Sequence, residues 1–246
     1  MKIDKRVLDI LQQSNIDNNI LFLPNEKLDR NTYLEVNKVL ELIGGKWNRK
    51  AGGHVFDHCP SDHIDQILIS GEVTDSKKTF QFFPTPINVA RQLCELAEID
   101  ASTSVLEPSC GKGNISDVAY SYNPRSLVGI ELNKDLESFL KEKPYEVIVG
   151  MDFLEYNNGN WDRIVMNPPF SNQQDIDHVM HAYDLLAENG VLVAIMFLSF
   201  KYRTTKKSIK FRQLLEDTNA EVIALPSGTF KDSGTMVETC IVVIRK

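Results

Sequence analysis

The sequence predicts an α/β protein built on a doubly wound parallel sheet of seven strands. Short apolar runs alternate with helical patterns from residue 105 onward, which is the pattern that such a sheet produces. A Gly-x-Gly turn also follows the first run, where a strand would pass into a helix. The seven runs are residues 104–107, 127–131, 147–149, 163–166, 191–196, 222–225 and 240–244.

Helices are predicted beside these strands. In residues 175–187, apolar side chains recur on one face, and Asn189-Gly190 ends the pattern. Residues 135–141 show a shorter helical pattern, and residues 87–96 begin one just after Pro86. Each helix is expected to pack its apolar stripe against the sheet.

The N-terminal residues have a different character. A helical stretch at 33–43 is followed by Gly44-Gly45 and by a segment, 47–56, that Gly52-Gly53 interrupts as a hairpin would. Polar residues replace apolar ones within 71–78. The sequence therefore predicts a small α+β appendage at 1–78, with a role in substrate recognition, and a catalytic domain at 79–246.

Composition indicates a soluble protein without membrane contact. Of 246 residues, 42% are hydrophobic, yet no apolar run approaches the ~18 residues of a membrane span. The N-terminus lacks the apolar core of a secretory signal, so the cytoplasm is the expected compartment. Cysteines without CxxC spacing, and three histidines near Cys59 that match no zinc pattern, predict reduced thiols and no metal site.

The formal net charge of the chain is -7, which is unfavourable for an enzyme that binds nucleic acid. Residues 201–212 nevertheless carry six basic residues and no acidic one. The candidates for phosphate contact are Lys201, Arg203, Lys206 and Lys207. A solvated loop and helix face would give the same pattern. The hairpin residue Trp47, among Lys and Arg, is likewise either a nucleic-acid contact or part of the core.

The segment 107–114 predicts a cofactor site at the end of the first strand. Without side chains at its glycines, a ligand can approach the backbone, and the following helix offers free N–H groups to a carboxylate. A third glycine with dinucleotide spacing is absent, which favours a ligand with one small anionic end over a pyrophosphate. The carboxylate of a methionine moiety is such an end.

Two acids follow the next strands. Glu131 ends the second strand, where a carboxylate can accept both hydroxyls of a ribose. Asp152 follows the third strand and could accept from an adenine amino group while Phe153 packs on the ring. Alternatively, either acid could cap a helix or lie on the surface.

The tetrapeptide 167–170 follows the fourth strand. Its two prolines fix the backbone and lack N–H donors, so local carbonyls are presented as acceptors. If the Asn167 side-chain oxygen and the Pro168 carbonyl accept from an amino group, the nitrogen lone pair faces a methyl donor. Phe170 could stack on a planar substrate. A Pro-Pro turn followed by a core phenylalanine is the alternative.

The order of these segments resembles that of gamma-class DNA amino-methyltransferases over about residues 80–246. That resemblance implies a Rossmann-like class I fold, the cofactor S-adenosylmethionine, and transfer of its methyl group to adenine N6, with cytosine N4 as the other substrate of the family. It also implies a stand-alone or phage-borne enzyme of the restriction-modification kind. The target-binding residues would be Asn167, Pro168, Pro169 and Phe170. The cofactor-binding residues would be Phe83, Thr85, Glu107, Pro108, Ser109, Cys110, Gly111, Gly113, Asn114, Glu131, Asp152, Phe153 and Asn167.

Other functions remain open from the sequence. No Pro-Cys dipeptide is present, which leaves direct transfer rather than the covalent route of ring-carbon methylation. The same tetrapeptide occurs in methyltransferases of guanine N2 in ribosomal RNA and of glutamine in release factors, although the latter usually have tyrosine in place of Phe170. A non-catalytic, methyltransferase-like binding subunit is a further alternative. The sequence does not indicate an oligomeric state.

Overall fold

The computed structural model describes residues 2–25, 28–57, 59–73, 84–230 and 238–246. The strands are β1 (Asn15–Asp17), β2 (Ile20–Phe22), β3 (Lys46–Asn48), β4 (Gly53–Val55), β5 (Ser104–Pro108), β6 (Ser126–Glu131), β7 (Glu146–Val149), β8 (Trp161–Met166), β9 (Leu186–Phe197), β10 (Glu221–Ala224) and β11 (Thr239–Arg245). The helices are α1 (Lys5–Gln12), α2 (Arg30–Leu42), α3 (Ser61–Ser70), α4 (Ile87–Leu96), α5 (Asn114–Ser121), α6 (Glu137–Leu140), α7 (Gln174–Leu185) and α8 (Lys206–Asp217).

A seven-stranded sheet forms the larger part of the molecule, in the order β10-β11-β9-β8-β5-β6-β7. All seven apolar runs are strands of this sheet, which confirms the predicted count and class. Five neighbouring strands are parallel: β9, β8, β5, β6 and β7. Strand β11 runs antiparallel to both β9 and β10. The expectation of a parallel sheet was therefore wrong at this edge. An antiparallel pair such as β10 and β11 can be joined without a crossover helix.

The sheet is covered on both faces. Within β9, Val193 and Ile195 belong to one apolar cluster, whereas Leu192, Ala194 and Met196 belong to the other. This alternation follows from the two-residue period of a strand. Residues of α4 and α5 lie in the first cluster and residues of α7 and α8 in the second. Burial on both faces explains why the central strands are almost entirely apolar.

The N-terminal region has its own four-stranded antiparallel sheet, in the order β1-β2-β4-β3. The predicted helix at 33–43 corresponds to α2, and the predicted hairpin is β3 with β4. The sequence prediction omitted α1, α3 and the first hairpin, whose three-residue strands are too short to show alternation. Trp47 is 50% exposed, so its interpretation as a core residue was wrong. Apolar residues of α1, α2 and α3 belong to the same cluster as α4 and α5, so the region packs on the larger sheet.

Within the described ranges, no helix has the length and apolarity that a membrane crossing requires. In the same part of the chain, no three His, Cys, Asp or Glu side chains form a group that could hold a metal ion. Cys94, Cys110 and Cys240 are buried, while Cys59 is exposed, and none of the four is in a disulfide. Burial raises the pKa of Cys94 and of Cys240 to about 12, which keeps both thiols protonated.

Candidate active site

A cavity of about 740 Å³ opens at the carboxyl ends of β5, β6, β7 and β8. It is lined by residues 109–112, 130–133, 151–154 and 167–172, together with residues of the 84–85 segment and of α7. The carboxyl edge of a parallel sheet is where ligands bind in folds of this kind. The cavity lies within the size range of small-molecule sites.

The turn after β5 forms one wall. Its backbone enters the left-handed region at Ser109 (φ 62°), Gly111 (φ 58°) and Gly113 (φ 82°). The Cys110 N–H donates to the Ile130 carbonyl, 2.8 Å away, which ties the turn to β6. Gly113 is the N-cap of α5. A Cβ at Gly113 would collide with the Tyr145 hydroxyl, so the glycine is required for backbone conformation and for space.

Glu107 supports this wall from inside. The residue is 2% exposed and also lines the cavity. Its carboxylate accepts from the Ser116 backbone N–H, at 2.6 Å, and from the Ser116 hydroxyl. Burial raises the pKa of Glu107 to about 8, while the two bonds from Ser116 oppose that rise. Its Oε2 thus fixes the start of α5.

Two residues predicted to contact a cofactor are placed otherwise. Pro108 and Gly113 are not among the described residues that line the cavity. Pro108 is a buried member of β5, paired with Ile130 of β6, and Gly113 is where α5 begins. Both shape the turn, and their contact with a cofactor stays a prediction. Phe83 lies outside the described residues.

Glu131 lies at the end of β6 with its carboxylate fixed in place. One oxygen accepts from the Gly111 N–H, at 2.7 Å, and the other accepts from the Asn133 N–H, at 2.7 Å. The side chain also lines the cavity. Since each carboxylate oxygen has two lone pairs, Glu131 can still accept hydroxyl groups from a ligand.

Asp152 and Phe153 form the next part of the wall, after β7. Asp152 accepts from the Leu154 N–H at 2.9 Å, so it caps the short 3-10 turn as the alternative interpretation proposed, and it also lines the cavity. Phe153 is 2% exposed. Its ring packs against His178 and His181, with ring centroids 5.4 and 4.9 Å apart. These contacts hold the aromatic wall rigidly.

The Asn167 carboxamide joins three distant segments. Its Nδ2 donates to the Thr85 hydroxyl at 3.1 Å, and the Thr85 carbonyl accepts from the Asn114 side chain at 2.9 Å. The tetrapeptide, the segment before α4 and the start of α5 therefore meet at one point of the cavity. Since Nδ2 is turned toward Thr85, Oδ1 lies at the other end of the amide. The side chain is thereby oriented as an acceptor.

Phe170 is a buried part of the cavity wall. It is 4% exposed, and its ring stacks on Phe197 with centroids 5.9 Å apart and planes 24° apart. After it, the chain adopts left-handed conformations at Asn172 and Gln173, both with φ 57°. Two such residues in succession cost conformational energy and need support from surrounding contacts. Phe170 lines the cavity, and its stacking on a substrate stays a prediction.

The basic segment divides into exposed and buried members. Lys201 and Lys206 are exposed, and exposed Lys207 forms an ion pair with Asp177. Arg203 is 1% exposed and forms an ion pair with Asp65 of α3. The prediction that Arg203 contacts nucleic acid is therefore corrected, because its guanidinium is enclosed by protein and neutralised there.

Sequence reasoning missed His178. This side chain of α7 is 5% exposed, lines the cavity, and has its Nδ1 3.3 Å from the Ser109 hydroxyl. The only signal in the sequence is a polar residue within an apolar helix pattern, which does not distinguish a ligand contact from a buried structural histidine. Burial lowers the pKa of His178 to about 4, so the imidazole is neutral at pH 7.

This shift predicts a pH dependence of stability. Between its folded pKa of about 4 and its unfolded value of about 6.5, His178 binds more protons in the unfolded chain. Its contribution is present above pH 6.5 and is lost as the pH falls toward 4. On going from pH 7.5 to 5.0, wild type should lose about 2 kcal/mol more unfolding free energy than His178→Gln. Urea unfolding at both pH values measures this difference, and equal losses in the two proteins would contradict the shift.

Known proteins resemble this chain in sequence over part of it and in fold over most of it. The modification methylase CviBIII of Paramecium bursaria Chlorella virus NC1A is 39% identical over 106 residues, which cover 40% of this chain and 28% of that enzyme. A dimethyladenosine transferase from Plasmodium falciparum matches 67% of this chain and 64% of its own, with TM-score 0.54 and 16% identity. The 23S rRNA methyltransferase ErmE matches 67% and 70%, with TM-score 0.52 and 19% identity. No family model matches.

The two structural likenesses concern the fold, since the identities are low. In this chain the fold is a mixed seven-stranded sheet with helices on both faces. The chain therefore has the seven-stranded, Rossmann-like fold of class I methyltransferases and carries a stretch similar to a viral modification methylase.

Proposed function

We propose that this protein is an S-adenosylmethionine-dependent methyltransferase that modifies the N6 amino group of adenine in DNA. One observation carries the proposal. The Asn167 carboxamide, oriented by Thr85, lies in the same cavity as Glu131 and Asp152. An acceptor for an amino group is thereby combined with the acids that a nucleoside-containing cofactor needs.

The lining residues fit the cofactor part by part. The methionine carboxylate would be held at the turn after β5 and the start of α5, where backbone N–H groups favour an anion. The ribose hydroxyls would donate to Glu131, which the Gly111 and Asn133 N–H groups fix in place. Asp152 would accept from the adenine amino group beside the Phe153 wall. When bound, the cofactor supplies an electrophilic methyl group on sulfur.

The tetrapeptide would orient the substrate nitrogen. The Asn167 Oδ1 and the Pro168 carbonyl accept the two amino hydrogens, so the nitrogen lone pair points toward the methyl group. These two hydrogen bonds also stabilise the positive charge that develops on the nitrogen during transfer. Transfer would form a nitrogen–carbon bond at the expense of the sulfur–carbon bond, and the surplus proton would leave to water.

A neutral His178 is not needed for this proton. Its pKa of about 4 makes it a weak base, and its Nδ1 faces the Ser109 hydroxyl. The methylated nitrogen is acidic enough to release a proton to solvent unaided. Positioning and electrostatics would therefore account for catalysis.

DNA is the favoured substrate for two reasons. The segments from the turn to the tetrapeptide resemble those of DNA amino-methyltransferases, and the sequence relative is named a modification methylase. Exposed Lys201, Lys206 and Lys207 offer charge for phosphate contacts. In a duplex the target adenine has to leave the base stack to reach the cavity. We also propose that this activity is cytoplasmic.

The test is methyl transfer from labelled S-adenosylmethionine to unmethylated duplex DNA, followed by nucleoside mass spectrometry. N6-methyladenine is the expected product. Label in cytosine would identify cytosine, not adenine, as the target base. Label only in structured RNA or in release factors would identify RNA or protein, not DNA, as the substrate. Cofactor binding by calorimetry without transfer to any of these would contradict catalysis and indicate a binding subunit.

A further inference from the structure

The N-terminal region contributes a side chain to the cavity. Gln66 of α3 lines the cavity together with residues 167–172, although about 100 residues separate them in the chain. Its Nε2 donates to the Ser171 hydroxyl at 3.2 Å, one residue after the tetrapeptide. The side chain is partly exposed. A carboxamide from the appendage thus reaches the wall where the target amino group would bind.

The position of α3 against this wall is fixed by buried charge. Asp65, which is fully buried, accepts from the Asn172 N–H at 3.1 Å and forms the ion pair with Arg203. Arg203 also lies near buried Asp175, whose carboxylate accepts from the Phe197 N–H at 3.1 Å. Because buried charges require their partners in place, α3 and the loop after the tetrapeptide are held as one unit. Gln66 is therefore presented to the cavity by a rigid element.

We propose that Gln66 contacts the target base at the ring nitrogen beside its amino group; this inference rests on the proposed function. The tetrapeptide accepts the amino hydrogens, so the ring nitrogen beside the amino group needs a donor. That nitrogen is N1 or N7 of adenine, or N3 of cytosine. The Gln66 Nε2 can supply this bond by exchanging the Ser171 hydroxyl for the base. In the major groove glutamine contacts adenine N6 and N7, and its amide N–H donates to the ring nitrogen N7.

The test compares Gln66→Ala and the similarly sized Gln66→Met with wild type on natural and deaza substrates. After the product is located, the target adenine is replaced by 7-deazaadenine or 1-deazaadenine, each lacking one ring acceptor; for a cytosine product, 3-deazacytosine is used. For wild type, kcat/KM should be about tenfold lower on the analogue that lacks the ring nitrogen bonded by Gln66 than on the natural base, because one hydrogen bond is lost. The Gln66 variants should lose about tenfold on the natural base and nothing further on that analogue.

Two control variants sharpen the comparison. Gln213→Ala removes an exposed glutamine of α8 that bonds to Asp217 and should behave as wild type. Gln174→Ala removes another glutamine that lines the cavity. The proposal is overturned if Gln174→Ala, and not the Gln66 variants, abolishes the reduction of kcat/KM on the deaza analogue. It is also overturned if the Gln66 variants lower kcat/KM by the same factor on every base. In both cases the proposed function stands. If wild type transfers no methyl group to nucleic acid, the proposed function fails before any variant is compared.

Discussion

Asn167→Ala should reduce the rate of methyl transfer by about 10²–10³-fold. The substitution removes the side-chain acceptor at the point where charge develops on the substrate nitrogen, and losses of this size follow removal of one such group. Cofactor affinity should change far less, because the turn, Glu131 and Asp152 lie on other segments. Single-turnover kinetics with labelled cofactor, together with calorimetry, measure both quantities.

Two further variants define the role of the amide. Thr85→Val removes the hydroxyl that accepts from Asn167 Nδ2 and should lower the rate about tenfold by releasing the orientation of the amide. Asn157→Ala removes an exposed asparagine that bonds to the Glu155 carbonyl and should retain the wild-type rate. If Asn167→Ala kept more than a third of the wild-type rate with the same product, the tetrapeptide would not be the acceptor of the amino group.

Arg203→Ala should lower the free energy of unfolding by about 3–5 kcal/mol. The ion pair with Asp65 is almost fully buried, with side-chain exposures of 2% and 1%. Removing the guanidinium leaves the Asp65 carboxylate without its counter-charge and loosens α3 from the loop after the tetrapeptide. Urea unfolding followed by circular dichroism measures the loss.

The matched control is Lys207→Ala. The Lys207–Asp177 pair has side-chain exposures of 47% and 32%, so its loss should cost at most about 1 kcal/mol. Lys207→Ala should instead weaken DNA binding and reduce its salt dependence. If Arg203→Ala unfolded like wild type and affected DNA binding alone, Arg203 would be a phosphate contact after all.

The sheet and the cavity-lining segments could be predicted because their signals are local. Residues 191–197 of β9 are buried on both faces and must be apolar, and helix α7 must show an apolar stripe. Glu131 ends a strand, and the glycine turn and the tetrapeptide each follow a strand directly. Parallel strands place their carboxyl ends at one edge, so these segments converge without any knowledge of long-range packing.

Only the tertiary structure decided which polar groups meet. Arg203 and Lys207 look alike in the sequence, yet one is buried against Asp65 and the other faces solvent. The environment of His178, the Asn167–Thr85 bond and the arrival of Gln66 in the cavity each depend on a partner far away in the chain. The periodicity of apolar residues indicates which face of a helix or strand is buried. Whether a charged or amide side chain is buried depends on a distant partner that forms a hydrogen bond or ion pair with it, because burial without such a partner costs too much free energy.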